Sequence, residues 1–161
     1  MHAQALNNKP KFAAEHVVAI IVVAVLCLAS PWVAADDLIA RAQEIHKRVI
    51  TLDTHVDIST DTFTDEVNCL TAPNTQVDLP RMEAGGLDAA FFIVYVGQGP
   101  LTDEGYATAY EAAVAKFDAI HWLTSELAPE RIGLALTPDD VRQIAKSGRK
   151  VALIGVENAY P

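Results

Sequence analysis

The sequence predicts an α/β fold built on a parallel sheet, and three observations carry that expectation. Three runs suited to strands, TLDTHVDIST, LDAAFFIVYV and KVALIGVE, are separated by segments with helical periodicity, and the crossovers are long enough for parallel pairing. The middle run is almost unbroken in apolar character, as expected of a strand covered on both faces. Acidic and imidazole groups stand at the C-terminal ends of the first and third runs, the sheet edge at which α/β proteins assemble their sites.

Ahead of these elements, VVAIIVVAVLCLA runs from Val17 to Ala29, preceded by Lys9 and Lys11 and followed by SPWVAADD. A basic start, an apolar middle of ~7–15 residues and small residues before a cut are the plan of a secretory signal peptide. Val33 and Ala35 fit the cleavage pattern, so the expected organisation is a signal peptide over 1–35 and a mature domain over 36–161. An uncleaved membrane anchor is the alternative, although the apolar run is shorter than the ~20 residues a spanning helix needs. The expected destination is export, periplasmic or secreted, with any membrane association made through this leading segment.

The mature stretch opens with DDLIARAQEIHKRV, read as a short amphipathic helix with Leu38, Ile39, Ala42 and Ile45 at helical spacing. The first strand follows. Ile50, Leu52, Val56 and Ile58 have the parity of one strand face, and Thr51, Asp53, His55 and Asp57 that of the other. A polar, turn-rich segment covers 59–75. Asp78 then caps a helix of one or two turns that Gly85 and Gly86 end. After the second strand a longer helix starts at Thr102, with Asp103 and Glu104 in its first turn and an apolar stripe through Tyr106, Tyr110, Val114, Phe117, Ile120, His121 and Leu127. On that stripe His121 reads as a packed core histidine. TPDDVRQIAKSG is a further helix, with Thr137 as cap, Pro138 in the first position, Asp140 completing a box-like start and Gly148 closing it. The third strand ends in Glu157.

The 161 residues are 51% hydrophobic, enough for one domain with a core. The formal net charge is −9, and losing residues 1–35, which carry two lysines and one glutamate, takes it to −10. Such acidity excludes nucleic acid and an anionic membrane surface as expected partners, since both need clustered Lys and Arg. Cleavage would also remove Cys27, leaving Cys69 as an odd cysteine in an exported chain, either a free thiol or one with a partner elsewhere.

His55 and Asp57, two apart on one strand, are ~6.6–6.8 Å apart at Cα and can converge on one metal ion. A carboxylate from a neighbouring strand, Glu157, can close that coordination or bridge to a second ion. A strand-end His-x-Asp joined by a strand-end Glu points to a hydrolytic metal site.

DTHVDIS, QVDLPRMEAGGLDAAFFIVYVGQGP and ALIGVENAYP resemble the N-terminal part of the membrane dipeptidase family, also called renal dipeptidases, from about Arg48 to Pro161. The resemblance implies a (β/α)8 barrel of which about three βα units are present. It also implies a cofactor of two zinc ions and hydrolysis of dipeptides by a metal-bound hydroxide. His55 and Asp57 would then bind one zinc, and Glu157 would bridge the two as the catalytic metal ligand. Asp53 would orient the site by hydrogen bonds, and Asn158 and Tyr160 would either line the pocket or shape the turn. The partner implied is a dipeptide substrate, with a homodimer left open.

A complete barrel takes ~250 residues, about twice the stretch 36–161, and the second-zinc histidines, a substrate-clamping arginine and an acid are expected from later strands. Two readings follow: the leading section of an exported zinc dipeptidase, incomplete at its C-terminus, or a truncated non-catalytic remnant that binds metal or a partner. Either way the last strand should present an unpaired edge and the sheet an uncovered apolar face.

Overall fold

The computed structural model describes residues 36–71 and 74–160. The signal-peptide and anchor readings of 1–35 lie outside the described residues. Two compact units divide between Lys47 and Arg48. In the first, residues 36–46 are helical (α1), with Leu38, Ile39 and Ile45 exposed. Among the described residues no helix is long and apolar enough to cross a membrane.

The second unit is α/β with a parallel sheet. Its strands are β1 (Leu52–Asp57), β2 (Ala89–Tyr95), β3 (Ile132–Leu134) and β4 (Lys150–Glu157), in the order β1-β2-β4-β3. All three pairings are parallel. The three expected strands are β1, β2 and β4, adjacent in that order. β3 is an addition that the sequence reading missed, and the strand ending in Glu157 is therefore the fourth in the chain. Three residues are too few to show a period of two. β3 pairs only with Lys150–Ala152, so no strand among the described residues pairs with that edge of β4 from Leu153 to Glu157.

β2 lies in the middle of the sheet, which is why its apolar run is nearly continuous: both faces are covered over most of its length. On one face Ala90, Phe92, Val94 and Ala152 pack with Val56, Met82, Ile120 and Leu123 into the main core. On the other, Ala89 and Val151 pack with Ala135 and Ile144 into a smaller cluster. Beyond that cluster the apolar surface is open, with Leu52 50% and Tyr95 41% exposed.

The helix ends fall where local chemistry sets them. α2 (Leu79–Gly85) is capped by Asp78, whose Oδ1 accepts the Arg81 N–H at 2.8 Å, and it stops at Gly86, with φ 73°. α3 (Asp103–Trp122) starts at Thr102, whose hydroxyl accepts the Gly105 N–H at 3.1 Å. A π-helical turn over Leu123–Leu127 continues it. α4 (Pro138–Lys146) carries a full capping box between Thr137 and Asp140.

α3 buries only part of the expected stripe: Ile120 is in the core and Phe117 and Leu127 pack against it. Ala109, Ala113, Ala119 and Ile120 face the core, whereas Tyr106, Tyr110 and His121 are exposed. The reading of His121 as a core histidine is thus corrected. Small alanines let the helix approach β2 closely, and Tyr110 and His121 lie on the solvent side while the partly exposed Tyr106 ring meets Tyr160.

At the N-terminal edge of the sheet Thr51, Asp88 and Lys150 tie three strands together. Asp88 Oδ2 accepts the Thr51 N–H at 3.0 Å, the Thr51 hydroxyl donates to the Gly86 carbonyl at 2.6 Å, and Lys150 Nζ lies 3.3 Å from Asp88 Oδ1. This clamp holds the register that brings the opposite edge together.

Candidate metal centre

β1 is not a regular strand, and its irregularity decides which side chains meet. Leu52 pairs with Ala89 and Asp53 with Ala90, but Val56 pairs with Phe92, so three residues of β1 span two of β2. Asp53 therefore stands opposite Ala90 and Asp57 opposite Ile93, on different faces of the sheet. The expectation that Thr51, Asp53, His55 and Asp57 share one face is corrected by that extra residue. Asp53 Oδ1 accepts the backbone N–H of His55 at 2.9 Å. This short-range bond satisfies an amide that the irregular ladder leaves out.

Past the irregularity, His55 and Asp57 come together with Glu157. Each of the three offers one ligand atom, and these atoms all lie within 4.8 Å of one another. His55 Nε2 is 3.5 Å from Asp57 Oδ1 and 3.1 Å from Glu157 Oε2. Among the described residues this is the one group of three or more His, Cys, Asp or Glu side chains so arranged. All three are accessible, with the His55 and Glu157 side chains 50% and the Asp57 side chain 75% exposed.

One imidazole nitrogen with carboxylate oxygens is a donor set that zinc accepts. Two acids converging on one imidazole also place excess negative charge at a single point, which a divalent cation offsets.

Beside His55 and Asp57 runs a cleft of about 510 Å³ whose lining includes Ile58, Phe63, Val77 and Phe92 along with Ser59 and Gln76. The polar segment that forms one wall is folded around Asn68. Its buried amide donates to the Thr64 and Asp65 carbonyls and accepts the Leu70 N–H. Cys69 sits next to it, free and buried, and burial pushes its thiol up to about 11.

On the far side, Asn158 and Tyr160 are joined to the loop after β2. Asn158 Nδ2 donates to the Val96 carbonyl at 2.8 Å and the Tyr160 hydroxyl to the Pro100 carbonyl at 2.6 Å. Both shape the turn after β4.

A family model described as membrane dipeptidase, peptidase family M19, matches residues 39–161. The chain belongs to the membrane dipeptidase family. Similar proteins include Dipeptidase ataJ of Aspergillus terreus (strain NIH 2624 / FGSC A1156), 31% identical over 133 residues, and Dipeptidase verJ of Clonostachys rogersoniana, 26% identical over 137. Those alignments take in 76% and 78% of this chain but 32% and 35% of the relatives, so the chain spans about a third of their length. Among solved structures, the probable dipeptidase PvdM of Pseudomonas aeruginosa superposes with a TM-score of 0.71 at 21% identity, over 78% of this chain and 32% of that one. A dipeptidase AC described as a metallopeptidase of family M19 gives 0.57 at 26%, over 70% and 36%. The first of these shows a shared fold, and the second adds family kinship. The family match begins at residue 39, inside α1, and covers every strand of the sheet.

Proposed function

We propose that this chain forms the opening part of an exported zinc dipeptidase, the first βα units of a (β/α)8 barrel, and that His55, Asp57 and Glu157 are its share of the metal centre. The observation that carries the reading is the convergence of those three side chains at the C-terminal sheet edge in a member of a dipeptidase family. The adjacency of β1, β2 and β4 in chain order supports the barrel, because successive barrel strands are neighbours; β3 is then a short outer addition.

A divalent ion held there supplies Lewis acidity, which polarises a peptide carbonyl and makes hydroxide available from water near neutral pH. The remaining work falls to the chain itself. His55 would offer Nε2 as a metal ligand, and Asp53 fixes the backbone from which it projects. Asp57 supplies a carboxylate oxygen to the same point. Glu157, at the end of β4, would hold metal from the same point and would serve as the bridging ligand if two ions were bound. The exposed side of the cluster admits a dipeptide, with the apolar wall of the neighbouring cleft beside it. Ligands for a second zinc and a clamp for substrate would come from outside the described residues.

A second reading, a chain that holds metal without hydrolysing anything, is favoured by the single three-ligand group among the described residues. Zinc content and hydrolysis of a dipeptide panel by the natural protein separate the two. The dipeptidase reading expects bound zinc, hydrolysis, and a loss on Glu157→Gln larger than the ~10–100-fold typical of an outer-shell partner. Full activity in Glu157→Gln removes that residue from the site. Zinc without hydrolysis of any dipeptide selects the second reading.

A further inference from the structure

Among the described residues, the end of β4 that carries Glu157 is paired with another strand along one edge only. β2 pairs with it up to Tyr95 opposite Glu157, but β3 stops at Ala152. A strand end held on one side is free to splay unless something past it is fixed. The next three residues supply two fixed points.

Asn158 adopts φ 73°, the one positive value among the described non-glycine residues. Asparagine tolerates that left-handed conformation better than other side chains. The turn it makes lets Nδ2 reach the Val96 carbonyl across 62 residues of sequence, extending the β2–β4 pairing one step beyond the last register pair. Tyr160 is 8% exposed and rests against Tyr106, with ring centroids 5.2 Å apart. Its hydroxyl, bonded to Pro100, fits a slot that two glycines leave open: a Cβ on either Gly99 or Gly105 would stand 2.9 Å from it.

We infer that Asn158 and Tyr160 act as a latch that positions Glu157 for metal ligation by fixing the exit of β4 to the loop between β2 and α3. The inference rests on the metal reading proposed above. Neither residue ligates the ion. Both act through the backbone on either side of Glu157, so losing them should loosen the ligand set more than it loosens the fold.

Cobalt(II) titration of the 161-residue chain, read by visible absorption and paired with thermal melts, tests the latch. Wild type should bind Co(II), and Glu157→Gln should mark the background from the other histidines. Asn158→Gly suits φ 73° but lacks the amide, and it should bind Co(II) ~10-fold more weakly with an altered visible spectrum while its melting temperature stays near wild type. Tyr160→Phe keeps the ring packing and loses only the hydroxyl bond, so it should give a smaller loss of affinity in the same direction. Wild-type affinity and spectrum in both variants, with Glu157→Gln at background, overturns the latch and leaves the metal reading standing. A wild-type chain that binds no more Co(II) than Glu157→Gln overturns the metal reading and the latch with it. A fall in melting temperature with unchanged affinity assigns both residues to stability alone, which also overturns it.

Discussion

His55 Nε2 lies 3.1 Å from Glu157 Oε2 although β1 and β4 are not neighbours, because β2 runs between them. Strands in a sheet are ~4.7–4.9 Å apart, so the two side chains lean toward each other over the width of a strand. The row beneath them makes this feasible: Asp57, Ile93 and Gly155 are aligned across the sheet, and the third of these has no side chain. A Cβ at Gly155 would stand 2.7 Å from Ile93 Cδ1, in the space under the cluster.

Two groups that serve one ion should not contribute independently. His55→Ala and Glu157→Gln are each expected to lower zinc affinity sharply, with the double variant little worse than either single one, as holds for residues acting as a unit. Competition with a chromophoric chelator measures the three affinities. Losses that simply add would place the two residues at separate sites.

Cys69 is predicted to be silent in the folded protein. Burial raises its thiol from 9.0 to about 11, so the reactive thiolate is scarce near neutral pH, and a thiol reagent at pH 8 should label it only in denaturant. Because the folded value is the higher one, this group's contribution to stability is complete below pH 9 and is lost as pH rises toward 11. Between pH 8 and 10 the protein should lose about 1 kcal/mol that a Cys69→Ala variant does not lose. Urea titrations at the two pH values give that difference, and equal pH slopes for the two proteins would count against it.

The start of α4 should respond to acid. Asp140 is held below its ordinary value of 3.8, first by the Thr137 hydroxyl and then by the backbone N–H of Leu136. Its folded value is the lower one, so its contribution is present above 3.8 and disappears as pH falls through the depressed value. Asp140→Asn should therefore flatten the acid side of a melting-temperature profile. Thr137→Ala, which removes the cap itself, should also cost about 1 kcal/mol at neutral pH. A profile that Asp140→Asn leaves unchanged would show that the capping box does not couple to folding.

What the sequence made legible was local. Asp78, Thr102 and Thr137 cap helices because a short polar side chain reaches an amide three residues on, and that needs no tertiary information. The meeting of His55, Asp57 and Glu157 was legible in kind, since parallel strands put their C-terminal ends at one edge. Three features were not legible. The extra residue between Asp53 and Val56 depends on how β1 registers against β2, and no pattern within TLDTHVDIST marks it. β3 is strand only because Lys150–Ala152 lies beside it. The buried stripe of α3 runs largely through alanines, whereas helical spacing alone favours the larger Tyr106 and Tyr110; close approach to the sheet selects for small residues there.

Gly105 offers the sharpest reversal of an ordinary expectation. It sits in the first turn of α3, where replacing glycine by alanine normally stabilises a helix by ~0.5–1 kcal/mol. Here the new methyl would run into the Pro100 carbonyl oxygen, a backbone atom with little room to retreat, and would stand 2.9 Å from the Tyr160 hydroxyl. Both are partners in the 2.6 Å bond that ties the end of β4 to this loop. Overpacking of this kind costs ~1–3 kcal/mol, so the net effect of Gly105→Ala should be a loss of stability, visible as a lower urea midpoint with an unchanged slope. The Tyr160→Phe background should lose less on the same substitution, since the hydroxyl that must move is gone. A gain in stability from Gly105→Ala alone would mean that the loop yields freely, and the 96–105 segment could not then be the anchor on which the end of β4 depends.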